Sequence, residues 1–182
     1  MNRFLLFILM VCCYTYAQGQ QTDFTYRSTQ DLYCAPVDIQ FTQQSSGQPK
    51  GFIWTFGNGE KSNKANPLIR FNAPGTYRVK LLTVWEKTTA EVVKTIQVLP
   101  SVFNRLDADR DEWCTPGPVQ FAASGSSNIV SHEWNFGDGS EIQAGNAAQM
   151  THVYTQYGQF TVTLKSLTAS GCYAIATKSI NI

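Results

Sequence analysis

Trp54-Thr55-Phe56-Gly57-Asn58-Gly59 returns eighty residues later as Trp134-Asn135-Phe136-Gly137-Asp138-Gly139. In both copies an aromatic strand runs into a Gly-Asx-Gly turn. Asn58-Gly59 and Asp138-Gly139 are hairpin dipeptides, because both residues tolerate the positive φ of tight β turns. Working outward, the flanking blocks repeat in the same order. Upstream, Cys34-Ala35-Pro36-Val37-Asp38-Ile39-Gln40-Phe41 matches Cys114-Thr115-Pro116-Gly117-Pro118-Val119-Gln120-Phe121 at the same spacing of 80. Downstream, Gly75-Thr76-Tyr77-Arg78-Val79-Lys80-Leu81 matches Gly158-Gln159-Phe160-Thr161-Val162-Thr163-Leu164 at a spacing of 83. Three blocks in one order define a duplicated unit. Its boundary is expected at Leu99-Pro100-Ser101, giving units over 22–100 and 101–182.

Each unit reads as strands. Tyr77, Val79 and Leu81 alternate with polar residues, as do Phe160, Val162 and Leu164. No window carries a helical stripe, and several short strands per unit, punctuated by turns, predict an all-β sandwich. Trp54 and Trp134 are then the large aromatics buried between its two sheets.

The chain of 182 residues is 43% hydrophobic and 15% charged, with a formal net charge of +1. That balance gives no reason to expect nucleic acid or an anionic membrane as partner. Residues 1–17 read as a secretory signal peptide: Met1-Asn2-Arg3 is the positive start, Phe4 to Cys13 the apolar run, and Thr15-Tyr16-Ala17 the small-residue end. A lipoprotein signal acylated at Cys12 or Cys13 is the rival, but Val11 and Cys12 are poor residues to precede the modified cysteine. No later stretch has the length of a transmembrane helix. The expected location is therefore secreted or cell-surface.

Trp-x-Phe-Gly-Asp/Asn-Gly, followed by Gly-x-Tyr/Phe-x-Val-x-Leu, resembles the signature of PKD domains. The resemblance covers essentially all of 22–182, in two copies. It implies an immunoglobulin-like sandwich with a role in spacing, adhesion or substrate approach. The Cys-x-Pro opening and the Gly171-Cys172 hairpin are similar to PKD repeats of bacterial surface proteins. The first copy departs from the pattern in having Asn58 for the aspartate and no cysteine in its last hairpin.

Several residues are candidates for chemistry. After export the chain keeps Cys34, Cys114 and Cys172. An oxidising compartment favours a Cys114–Cys172 bridge within the second unit, stabilising by about 4 kcal/mol on chain entropy. Thr89 stands where the first unit would match Cys172, so Cys34 is left as a buried thiol or an intermolecular crosslink. Asp107, Asp109 and Asp111 alternate carboxylates in the way Ca²⁺ prefers. They lack the glycine and distal glutamate of an EF-hand loop, and Arg110 sits among them. A solvated acidic loop is the plainer reading, and no other cofactor is expected. Trp85 and Trp113 lie outside the shared core pattern and are candidate ligand-contact aromatics, or else cover the ends of their cores.

Catalysis is not expected. His152 occupies the slot of Ile69 and His132 that of Phe52, so packing explains both better than acid–base work. Asn58 in place of Asp138 points to turn chemistry rather than acidity. No nucleophile elbow, zinc motif or phosphate loop is present. The first unit carries a net charge of +3 and the second −3, an asymmetry that suits docking between domains or is ordinary surface scatter. The function expected is a non-catalytic extracellular structural or binding module, contacting a protein or polysaccharide. The alternatives are an N-terminal accessory part of a larger secreted hydrolase or adhesin, and a carbohydrate-binding module.

Overall fold

The computed structural model describes residues 20–30, 32–110 and 112–182. The signal-peptide expectation falls on 1–17 and lies outside the described residues. All regular structure among the described residues is β-strand, and it divides into two seven-stranded sandwiches.

In the first, β1 (Phe24–Ser28), β2 (Val37–Gln43) and β5 (Leu68–Phe71) form a three-stranded sheet in the order β1-β2-β5. The facing sheet has the order β4-β3-β6-β7, built from β3 (Gly51–Thr55), β4 (Lys61–Ser62), β6 (Gly75–Val84) and β7 (Thr89–Val98). The second repeats this plan. β8 (Asn104–Ala108), β9 (Gly117–Gly125) and β12 (Gln149–Tyr154) form one sheet. β10 (Ile129–Asn135), β11 (Gln143–Gly145), β13 (Gln159–Thr168) and β14 (Tyr173–Asn181) form the other. All strand pairs within the sheets are antiparallel.

The sequence alternation places the core. Val79, Leu81 and Thr83 of β6 face inward, as do Val162, Leu164 and Ser166 of β13. Each unit has its own apolar cluster, from Phe24 to Val98 and from Leu106 to Ile182. Trp54 lies near-parallel to Phe56 at 5.8 Å and edge-on to Phe24 at 5.1 Å, bridging the two sheets. Its indole nitrogen donates to the Lys64 carbonyl at 2.8 Å, so the one polar atom of the buried ring is satisfied.

The Gly-Asx-Gly turn is built differently from the sequence expectation. Positive φ falls only on glycines, at 77° for Gly57 and Gly137, 93° for Gly59 and 87° for Gly139. Asn58 and Asp138 instead serve through their side chains, accepting the backbone N–H of Glu60 (3.0 Å) and Ser140 (3.1 Å). The first glycine of each turn has a second reason. A Cβ on Gly137 would stand 2.5 Å from the Thr161 carbonyl oxygen, and one on Gly57 3.1 Å from the Arg78 backbone.

The cysteines overturn the expected pairing. Cys34 is bonded to Cys172, with a Cα–Cα distance of 5.9 Å and 138 residues between them, and Cys114 is free and exposed. The expected Cys114–Cys172 bridge is ruled out by β14 itself. Cys172 immediately precedes its first residue, whereas Trp113, next to Cys114, donates to Asn181 at its last. Nine extended residues hold the two cysteines roughly 25 Å or more apart, against a reach of about 7 Å for a disulfide. Cys34 is therefore neither a lone thiol nor an intermolecular crosslink. It ties one sandwich to the other.

Two outcomes follow for stability. Cys34→Ser and Cys172→Ser should destabilise the protein alike, by up to about 5 kcal/mol on the loop-entropy estimate, and lower its melting temperature accordingly. Cys114→Ser should leave melting unchanged in differential scanning calorimetry. Gly137→Ala should destabilise its unit by about 2 kcal/mol or more, and Gly57→Ala by less, since its clash is milder.

Candidate functional site

The junction between the units is assembled from chain ends. Cys34 forms a parallel bridge with Leu99, where β7 leaves the first sandwich. The Leu99 N–H donates to the Tyr33 carbonyl at 2.7 Å, and the Ala35 N–H to the Leu99 carbonyl at 2.9 Å. Cys34 is thus pinned at the C-terminal pole of the first unit. Cys172 lies on the β13–β14 turn, and Asn104, which begins β8, donates to the carbonyl of Ala174 at 3.0 Å. That turn is therefore at the N-terminal pole of the second unit. With only residues 99–103 between β7 and β8, these two poles meet and the disulfide closes across them.

Cys172 is 1% exposed, and the β13–β14 turn around it is tightly held. The Thr168 N–H and hydroxyl both bond the Cys172 carbonyl, and Gly171 turns with φ of 85°. The Leu32 side chain packs where a Cβ on Gly171 would be in van der Waals contact. Beside the bond is a cleft of about 380 Å³ lined by Gln30, Leu32, Cys34 and Tyr173. The Lys165 ammonium sits 5.4 Å from the Tyr173 ring centre. The four lining side chains are uncharged, and the sulfur among them is held in the disulfide.

Trp85 and Trp113 both pack at the ends of their cores. Trp85 is 4% exposed, donates to the Ser46 carbonyl at 3.0 Å and packs on Gly47, so it caps the N-terminal pole of the first core. Trp113 is partly buried against the second core, with Arg110 5.8 Å from its ring centre. Both belong to core ends, the alternative the sequence left open.

The acidic run is dispersed among arginines. Asp107 pairs with Arg105 at 2.9 Å, and Asp109 with Arg110 at 3.7 Å while also accepting the Gln120 N–H. Asp111 lies outside the described residues, and among those described no group of three or more His, Cys, Asp or Glu is placed to hold a metal.

The histidines pack, as their apolar counterparts Ile69 and Phe52 do, and each adds a polar contact. The register pairs Val119 with His152 as it pairs Ile39 with Ile69. His152 stacks on Phe136 at 4.0 Å, and its Nε2 donates to the Asp138 carboxylate at 2.7 Å. Sequence spacing carries no signal for this pair, fourteen positions apart, because the intervening chain, which includes β11, brings the two side chains back together. Burial works against ionising Asp138, but the Ser140 and His152 hydrogen bonds outweigh it and bring its pKa down to about 2. Tyr154 has its phenol pushed well up, by burial and then by the Asp138 charge, and its hydroxyl donates to the Phe136 carbonyl. His132 is buried, and burial lowers its pKa. Its Nδ1 lies 2.9 Å from the Ser166 hydroxyl, which also accepts from Asn104.

Two seven-stranded sandwiches in series, joined by a disulfide across facing poles, define a tandem immunoglobulin-like repeat module. The PKD domain model matches residues 17–99 and again 105–182, and the chain belongs to that family. It is similar to the pre-pro-metalloprotease PrtV of Vibrio cholerae, 27% identical over 146 residues, which are 78% of this chain and 15% of that protein. Collagenase ColA of Clostridium perfringens is 33% identical over 76 residues, 38% of this chain and 7% of its own length. The chain thus spans a small part of either relative. Among solved structures, a C-terminal fragment of intimin bound to the intimin-binding domain of its receptor aligns with a TM-score of 0.53 and 12% identity. That alignment covers 88% of this chain and 63% of the fragment, and shows likeness of fold.

Asp138→Asn should keep the turn, as Asn58 does, and lose the charge-assisted hydrogen bonds that Ser140 and His152 give the carboxylate. Asp138 has a folded pKa of about 2 against about 3.9 unfolded, so its stabilisation is present above pH 4 and lost as pH falls towards 2. Urea titrations should show the variant less stable by about 2 kcal/mol at pH 7, with the gap closing as pH falls towards 2.

Proposed function

We propose that this chain is a non-catalytic, exported spacer whose two PKD sandwiches are held at a fixed mutual attitude. The observation that carries this reading is the disulfide between Cys34 and Cys172, which joins the units at their facing poles. A covalent link between domains that already share a five-residue connection restricts their swivel. Disulfides persist in oxidising compartments, which agrees with export. The relatives support an accessory role. Their names describe a metalloprotease and a collagenase, and the matched part is a small fraction of each. On this reading the pair positions a neighbouring catalytic or adhesive domain relative to a surface. Glycan contact through Trp85 or Trp113 is disfavoured, because both rings are used in their own cores.

Small-angle scattering of the two-unit chain tests the spacer directly. The oxidised protein should fit one shape, and Cys34→Ser should broaden the distance distribution. Identical profiles would remove the rigid-spacer reading. A pull-down on insoluble chitin, cellulose and collagen, with and without Ca²⁺, should show no retention. Clear retention on one polymer would make the pair a binding module instead.

A further inference from the structure

The free cysteine stands where the bonded one stands. Cys114 is the counterpart of Cys34 in the repeat, and each sits at the C-terminal pole of its sandwich. The segment at Cys34 runs parallel to the end of β7 through the Cys34–Leu99 bridge. The segment at Cys114 runs parallel to the end of β14 through Glu112–Asn181. Backbone hydrogen bonds fix both, between Leu99 and Tyr33 at 2.7 Å and between Trp113 and Asn181 at 2.9 Å. At the first pole the sulfur is bonded to the last-hairpin cysteine of the sandwich stacked on it. The second pole presents an exposed, unbonded cysteine at the equivalent position, and the indole nitrogen of the preceding residue, Trp113, is buried without a hydrogen-bond partner among the described residues.

We propose that Cys114 is the acceptor half of a second interdomain clasp, and that its occupant is a further sandwich of this same kind, stacked in series on the C-terminal pole. The occupant would offer a cysteine on its last hairpin, as the second unit offers Cys172 to the first. The requirement is specific. That hairpin is the part of such a domain lying at its N-terminal pole, and so the part that faces the preceding unit. Glu112 takes the place of Leu32, so the contact beside the bond is polar where the first junction is apolar. The bond forms by thiol–disulfide exchange with a small-molecule or enzyme disulfide. The Cys114 thiolate attacks the donor and releases one thiol, and the incoming hairpin thiolate then displaces the second. Two protein thiols are oxidised to one disulfide, their protons leave to solvent or the released thiolates, and the donor disulfide is reduced to two thiols. None of this depends on the spacer reading, since a binding module could be clasped in the same way.

The test is a three-unit chain that begins at Gln18 and has residues 100–182 appended after Ile182, reproducing the connection that follows Leu99. After oxidative refolding with glutathione disulfide, alkylation and non-reducing peptide mapping should find Cys34–Cys172 retained. Cys114 should be joined to the appended copy's hairpin cysteine, leaving one thiol per chain. A companion chain with Cys114→Ser and Ser124→Cys moves the thiol to an exposed position on β9. It should give at least about tenfold less of the corresponding bond, because tethering raises local concentration only for a thiol held at the junction. The retained Cys34–Cys172 bond reports that both chains have folded. Alkylation of both Cys114 and the appended hairpin cysteine would overturn the proposal. So would Cys114 bridging two molecules, or equal yield from the displaced thiol.

Discussion

Each sandwich hangs on one close approach. The turn after the tryptophan strand must pass against the backbone of the long strand beside it, and only a residue without a side chain permits this. Gly57 lies over Arg78, and Gly137 over Thr161. That approach aims Phe56 and Phe136 into the core beside Trp54 and Trp134, all of them essentially inaccessible to solvent. Trp54 then spans from Phe56 on its own sheet to Phe24 and Phe41 on the facing one, with centroids 5.1 to 5.8 Å away. Truncating such a ring costs about 3–5 kcal/mol, comparable to the whole stability of a small domain.

Around that fixed wedge the two units solve the same problems with different atoms. Phe71 and Tyr77 pair at 4.7 Å, as do Tyr154 and Phe160, and the hydroxyl moves from one member to the other. In either arrangement it finds a backbone carbonyl, that of Ala73 or Phe136. At the N-terminal pole the first unit buries a hydroxyl cluster of Thr22, Ser45 and Thr83. The second buries Asn104, His132 and Ser166. The His132 site thus occupies the place of the first unit's hydroxyl cluster. In both, the hydrogen bonds run between side chains of the same cluster and to neighbouring backbone.

How much of this was legible in the sequence depends on the range of the interaction. Alternation in β6 and β13, the glycine turns and the buried tryptophans are local or repeat every eighty residues, and they read correctly. The turn was right in place but wrong in mechanism, because Asn58 and Asp138 act through a side-chain oxygen rather than through positive φ. The pairing of His152 with Asp138 could not be read, since Ile69 and Asn58 show only that the positions tolerate other residues. The disulfide was misassigned for a related reason. Proximity in the repeat unit suggested Cys114 and Cys172, but sequence spacing does not say at which end of a sandwich a loop lies.

That question of ends has a topological answer. The parallel bridges Cys34–Leu99 and Glu112–Asn181 show that the chain, having run up the first strand of each unit, is still travelling in the direction of its last. Seven strands of alternating direction bring the chain in at one pole and out at the other, which an even number would not. Tandem copies therefore stack pole to pole rather than folding back side by side. A cysteine after the first strand always lies at the exit, and one on the last hairpin always lies at the entrance. Within one unit the two are a strand length apart and cannot bond. Between successive units they are brought face to face, so a residue pattern that looks like an internal crosslink is instead a link along the series.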